Sequence, residues 1–66
     1  MTIRQIIARL GGIVVVAKSC GLRPVSIRNW IMDDYIPRKH HETIKEMGKR
    51  KGIKLTSKEL DPYETL

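Results

Sequence analysis

The sequence predicts an all-α domain built from four or five short helices, and three observations carry that expectation. Ile3, Ile6, Ile7 and Leu10 recur at i, i+3, i+4 and i+7, an apolar stripe with helical period. Glycines and prolines punctuate the rest of the chain at helix-length intervals, at Gly11-Gly12, Gly21, Pro24, Pro37, Gly52 and Pro62. The one segment that could form a brief strand, "IKL" at 53–55, has no second strand in view to pair with. At 66 residues the chain makes a single domain, near the lower limit for a self-sufficient core.

Each element follows from local chemistry. Thr2 and Gln5 have capping-box spacing at the start of a first helix over residues 2–10. Gly11 and Gly12 break it, and Gly12 serves as N-cap for a second helix from Ile13 to Cys20. Gly21 ends that helix, because glycine enters the left-handed region without penalty. Pro24 suits the first turn of a third helix, where its missing N–H is not needed, and the helix should run to Met32 or Asp33. In "YIP" at 35–37 the residue before proline avoids helical geometry, so a connection falls there. Pro37 then opens a fourth helix to about Lys51, with Ile36, His40 or His41, Ile44 and Met47 facing inward. Thr56 and Glu59 are a second capping-box candidate, starting a short helix that halts near Asp61-Pro62 within a C-terminal tail, 53–66.

Composition narrows the function. Hydrophobic residues make up 41% of the chain, but there is no Phe, one Trp and two Tyr. The core must be aliphatic and thin, so stability could lean on oligomerisation or a ligand, and a deep catalytic cleft is hard to house. Thirteen Lys and Arg against seven Asp and Glu give a formal charge of +6, which suits a polyanionic partner, nucleic acid above all. The charge is uneven. Residues 36–54 hold seven basic side chains and two acids, Glu42 and Glu46, whereas the last twelve residues hold Lys58 against Glu59, Asp61 and Glu64. Cys20 is the single cysteine, so no internal disulfide is possible. The longest apolar run, Ile13 to Ala17, is too short for a membrane span, and the amino terminus lacks a signal-peptide pattern. The cytoplasm is the expected compartment.

The stretch "VVVAKSCGLRPVSIRNWI", residues 14–31, combines these signals. Two short helices joined by a glycine turn must cross closely, and Ala17, four residues before Gly21, permits that approach. Val16, Cys20, Leu22, Ile27 and Trp30 fall where such a pair needs apolar residues. With Ile27 and Trp30 inward, the opposite face of the third helix carries Val25, Arg28, Asn29 and Met32, with Arg23 at its N-terminal rim. Arg suits O6 and N7 of guanine, Asn suits N6 and N7 of adenine, and Val25 can meet a thymine methyl.

"VAKSCGLRPVSIRNW" resembles the helix-turn-helix of phage Cro-type repressors: a small residue, a glycine four later, and apolar positions ending in Trp. The "YIP" that follows is similar to the Ile-Pro element of small Cro proteins, YdaS-type antitoxins and phage CII-type activators. "IPRKH" through "GIKLTSKEL" also resembles a small family labelled carph-isopro. Together the match covers about residues 5–60. The resemblance implies a lambda-repressor-like fold with its helix-turn-helix at 13–32. It implies that Arg23, Val25, Arg28 and Asn29 reach base edges and that Lys18, Ser26, Arg38 and Lys39 lie near phosphates. It also implies dimers reading half-sites about one helical turn apart, inside a bacterial host cell.

The chain departs from that pattern in two places. Ile13, Val14 and Val15 stand where relatives carry a polar phosphate-gripping residue, so the helix N-terminus itself would hold the phosphate, and Ile13 or Val14 would pack on a partner or on more chain. Asp33 and Asp34 replace a glycine-rich exit. Acids there oppose the helix dipole, so they are expected to point away from DNA.

Other chemistry finds little support. Trp30, at i+3 from Ile27, is a core anchor rather than a base-stacking platform. Cys20 reads as a small buried hydrophobe. Adjacent His40 and His41 cannot share a helix face, and no paired CxxC or HxxxH is present, so no metal is expected. With no nucleophile triad, carboxylate pair or phosphate-cradling loop, the chain reads as no enzyme, with no cofactor or small-molecule ligand. Lys45, Lys49, Arg50 and Lys51 read as a solvated face. The leading expectation is a sequence-specific double-stranded-DNA-binding regulator of Cro type, a homodimer at least on its operator. The alternatives are an antitoxin-like or adaptor module that binds protein through Ile13-Val14-Val15, and a CII-type activator.

Overall fold

A computed structural model of the chain describes residues 2–61. Five α-helices and one short 3-10 segment make up its regular structure: α1 Ile3–Arg9, α2 Ile13–Cys20, α3 Pro24–Asp33, the 3-10 segment Arg38–His40, α4 His41–Arg50 and α5 Ser57–Leu60. The all-α expectation holds, and no strand forms among the described residues, so 53–55 is extended connection rather than sheet. Pro62, expected to halt the last helix, and the rest of the 53–66 tail beyond Asp61 lie outside the described residues.

Helix ends follow the predicted chemistry closely. Thr2 and Gln5 form the full capping box, Thr2 Oγ1 accepting from Gln5 N at 3.2 Å and Gln5 Oε1 from Thr2 N at 2.9 Å. At the end of α2, Gly21 is left-handed (φ 69°), and its amide and that of Leu22 donate to the Lys18 and Ala17 carbonyls. That pair of bonds is the Schellman closure, and it satisfies carbonyls the helix would leave orphaned. The same closure recurs where Gly52 and Ile53 donate to Lys49 and Gly48 at the end of α4.

The end of α3 uses the same motif without a glycine. Asp34 adopts φ 56°, the one non-glycine residue with positive φ among those described, while Asp34 N and Tyr35 N donate to Ile31 and Trp30. Holding a side chain there costs roughly 1–2 kcal/mol. The Asp34 carboxylate offsets part of that cost by accepting from Ile3 N, the first amide of α1, at 3.3 Å. An acid that opposes the dipole of α3 thereby complements the N-terminus of α1.

The core is aliphatic, as the composition requires. Ile3, Ile6, Ile7, Leu10, Val16, Ile27, Ile36, Ile44 and Leu60 are fully buried, with Ala17, Trp30 and Leu55 beside them. Each such aliphatic side chain contributes about 1.5–3 kcal/mol on leaving water. The α2–α3 pair is the most closely packed, α1 lies against both, and α4 rests on α2. Ile36 N donates to Leu60 O at 2.7 Å, which ties the α3–α4 connection to α5.

Three features differ from the sequence reading, and a choice it left open, His40 or His41, is resolved. Pro37 opens a 3-10 turn rather than an α-helix, and α4 proper begins only at His41. Of the two histidines, His41 is the inward one: it is buried and its Nε2 donates to the Ile36 carbonyl, while His40 stays half-buried. The Thr56–Glu59 box is half formed, Thr56 Oγ1 accepting from Glu59 N at 3.3 Å with the Glu59 carboxylate on the Thr56 hydroxyl rather than its amide. Cys20 is half-buried rather than buried, and what burial it has pushes its thiol pKa up.

One contact went unread in the sequence. Gly48 is buried in α4, and a Cβ built on it would lie 2.8 Å from Leu55 Cδ1 and 3.0 Å from the Ile53 carbonyl oxygen. The extended 53–55 segment therefore crosses α4 so closely that a Cβ at residue 48 would press on the Leu55 side chain and the Ile53 carbonyl. Gly48→Ala gains up to about 1 kcal/mol of helix propensity and loses about 1–3 kcal/mol to overpacking. We expect a net loss near 1 kcal/mol, read as a lower urea midpoint at unchanged m-value. A raised midpoint would show that the segment yields freely.

Candidate nucleic-acid interface

The surface begins with the geometry of α3. A helix turns about 100° per residue, so burying Ile27 and Trp30, with Ile31 half-buried beside them, fixes what faces outward. Val25, Asn29 and Met32 occupy the centre of the outer face, Val25 and Met32 with 55% and 76% of their surfaces exposed. Arg28 is exposed at the edge nearer α1, and Ser26 is half-buried at the other edge. Arg23, exposed, is the N-cap with extended backbone, and Pro24 opens the helix as expected. Val25, Arg28 and Asn29 thus share the solvent-facing side of α3, with Arg23 exposed at its N-cap, and none of the four belongs to the core.

The phosphate candidates are more dispersed. Lys18 is exposed in the last turn of α2, and Arg38 and Lys39 are exposed in the 3-10 segment. Because the turn at Pro37 is 3-10, Arg38 and Lys39 precede α4 instead of forming its first turn. Neither α2 nor α3 has a side-chain cap at its N-terminus. At α2 this leaves the first amides open to an anion, the geometry that suits a phosphate oxygen, whereas at α3 Pro24 has no N–H and Ser26 N donates to the Arg23 carbonyl.

The apolar run at 13–15 divides. Ile13 packs against the protein's own core, whereas Val14 and Val15 are 55% and 45% exposed. The basic face of α4 divides too. Lys45 is half-buried and donates to Ser57 Oγ at 2.6 Å, so it braces α5. Lys49, Arg50 and Lys51 are exposed, and the 3.9 Å Arg50–Glu46 pair is a surface contact worth little.

Behind α3, the Trp30 and His40 rings lie 5.2 Å apart between centroids, tilted by 39°. Trp30 belongs to the core, is 6% exposed and presents no face for a base to stack on. His40 has its pKa lowered, by loss of solvent first and then by the charges of Lys39 and His41. Among the described residues no group of three or more His, Cys, Asp and Glu could hold a metal ion. No helix among them is long and apolar enough to cross a membrane.

Arg4 and Ala8 were missed in the sequence reading. They flank the buried stripe of α1 and, with Ile7, Gly12, Ile13, Arg28, Ile31 and Met32, line a groove between α1 and α3. Their i, i+4 spacing puts them on one flank of the helix. Which element that flank meets is decided by tertiary packing.

Fold and surface together define a class: a small all-α domain that presents on one helix an exposed face of mixed basic, polar and apolar side chains. No protein-family model, no curated protein and no solved structure matches the chain.

Separation of the two faces of α3 has a measurable consequence. Ile27→Ala should cost about 2–5 kcal/mol, most of the stability of so small a domain. Arg28→Ala and Asn29→Ala should stay within about 0.5 kcal/mol of the parent. Thermal melts followed by circular dichroism distinguish the two sets, and a large loss in the Arg28 or Asn29 variant would mean that this face serves folding.

Proposed function

We propose that the protein is a sequence-specific double-stranded-DNA-binding transcriptional regulator, most like the Cro-type phage repressors, acting in the cytoplasm of a bacterial cell. The observation that carries this reading is the outer face of α3, where Arg23, Val25, Arg28 and Asn29 are all exposed and none is required by the core. A helix with its side chains is about 10–12 Å across, and the major groove, about 12 Å wide, admits it.

In this reading, binding strength comes mainly from Lys and Arg displacing counterions, to which the charge of +6 contributes. Lys18, Ser26, Arg38 and Lys39 set the register on the phosphates, with the uncapped N-terminal amides of α2 as further donors. Arg28 and Arg23 read guanine, Asn29 reads adenine, and Val25 meets a thymine methyl. The operator is read by a homodimer. Position relative to the promoter, rather than any residue, decides between repression and activation.

A second reading has its own support. Val14 and Val15 remain exposed on α2, and an adaptor or antitoxin-like module would use them against a partner protein.

Two variants separate base reading from backbone attraction. Arg28→Ala should lose discrimination at one base position, about 1–3 kcal/mol. Lys39→Ala should weaken every duplex alike and reduce the salt slope by about 1. Both are measured by fluorescence anisotropy on labelled duplexes over a range of salt. Variants that bind every duplex as well as the parent would overturn the docking, and a parent that shows no salt-dependent binding would favour the adaptor.

A further inference from the structure

The groove between α1 and α3 is lined mainly by apolar atoms and has a volume of about 600 Å³. Ile7 and Ile31 form its walls, Gly12 and Ile13 close one end at the start of α2, and Met32 stands 76% exposed beside them. Only two charged side chains line it, Arg4 and Arg28, and both are exposed. Neither has an acidic partner among the described residues, and no Asp or Glu lines the groove. The core is complete without it, since Ile7 is already 99% buried at 1% exposure while the groove stays open.

We infer that this groove docks an acidic, amphipathic peptide segment of a partner protein. The segment would set apolar side chains between the two helices and carboxylates against Arg4 and Arg28. An open groove suits a macromolecular segment better than a small molecule, which binding sites usually enclose over most of its surface. Two unpaired arginines flanking an apolar floor match carboxylates bordering apolar anchors, and guanidinium groups bind carboxylates in a fixed two-pronged geometry. Met32 adds an adaptable, polarisable contact of the kind that accommodates varied side chains.

Arg28 and Met32 belong to both the groove and the outer face of α3. A segment seated there covers Arg28 and places negative charge where a phosphate backbone would approach, so peptide and DNA exclude each other. This exclusion rests on the DNA-binding reading above, whereas peptide docking does not. The groove would then be the off-switch of the regulator.

The test selects ligands from a random dodecapeptide pool displayed on phage, with the full chain as bait and no DNA present. Enriched peptides should carry apolar residues at i and i+3 or i+4 flanked by Asp or Glu. A synthetic copy of the most enriched sequence should bind the parent, lose at least tenfold in affinity when its acids are changed to Lys, and lose at least tenfold to Ala8→Glu. Ala8 is exposed and lies outside the core, so Ala8→Glu should keep its circular-dichroism melt, and loss of peptide is then not loss of fold. Selected peptides without acidic enrichment, or peptides indifferent to Ala8→Glu in a folded variant, would overturn the docking. In a second arm the same peptide is titrated into a protein–DNA complex. Displacement supports the off-switch; a peptide that binds the free protein but leaves DNA bound overturns the exclusion alone. A parent that binds peptide and no DNA at all overturns the DNA-binding reading and leaves the docking standing.

Discussion

The inward burial of Ile27 and Trp30 against α2 is the constraint on which the rest depends. A 66-residue chain without phenylalanine has few large side chains to spend on a core, and Trp30 is its single tryptophan. Once Ile27 and Trp30 turn inward, the helical period leaves Val25, Asn29 and Met32 no direction but solvent, with Arg28 at the edge. Gly21 sets how closely α2 and α3 approach, through its left-handed turn and the two closing hydrogen bonds. The folding requirement thereby creates the exposed face without using it.

The surrounding structure keeps that helix in place. Its far end is closed by Asp34 and Tyr35, and the Asp34 carboxylate reaches across to the first amide of α1. Ile36, two residues on, is buried, and its amide is held by the Leu60 carbonyl while its own carbonyl accepts from His41. Trp30 meets His40 on the other side. α3 is therefore tied at its exit to α1, to α4 and to α5.

Much of this was legible in the sequence because the signals were local. Thr2 with Gln5, Gly12, Gly21 and Pro24 each act within a few residues, and the bounds of α2 and the start of α3 follow from them directly. The outer face of α3 was legible for the same reason, since period alone separates it from Ile27 and Trp30. What escaped was set by contacts distant in the chain. Gly48 matters through Leu55 and Ile53, Asp34 through Ile3, and Arg4 through the groove that α1 forms with α3. The choice between His40 and His41 hinged on a 3-10 turn that displaced the register of α4. Lys45 looked like one more solvated cation until Ser57 met it.

The central claim is that the exposed face of α3 reads DNA sequence. Selection of bound sites from a random duplex pool tests it most directly. The account predicts enrichment of a palindromic consensus with half-sites about one helical turn apart, containing guanine and adenine positions matched to Arg and Asn. Recovery of unenriched sequence, from a folded protein at low salt, would contradict it.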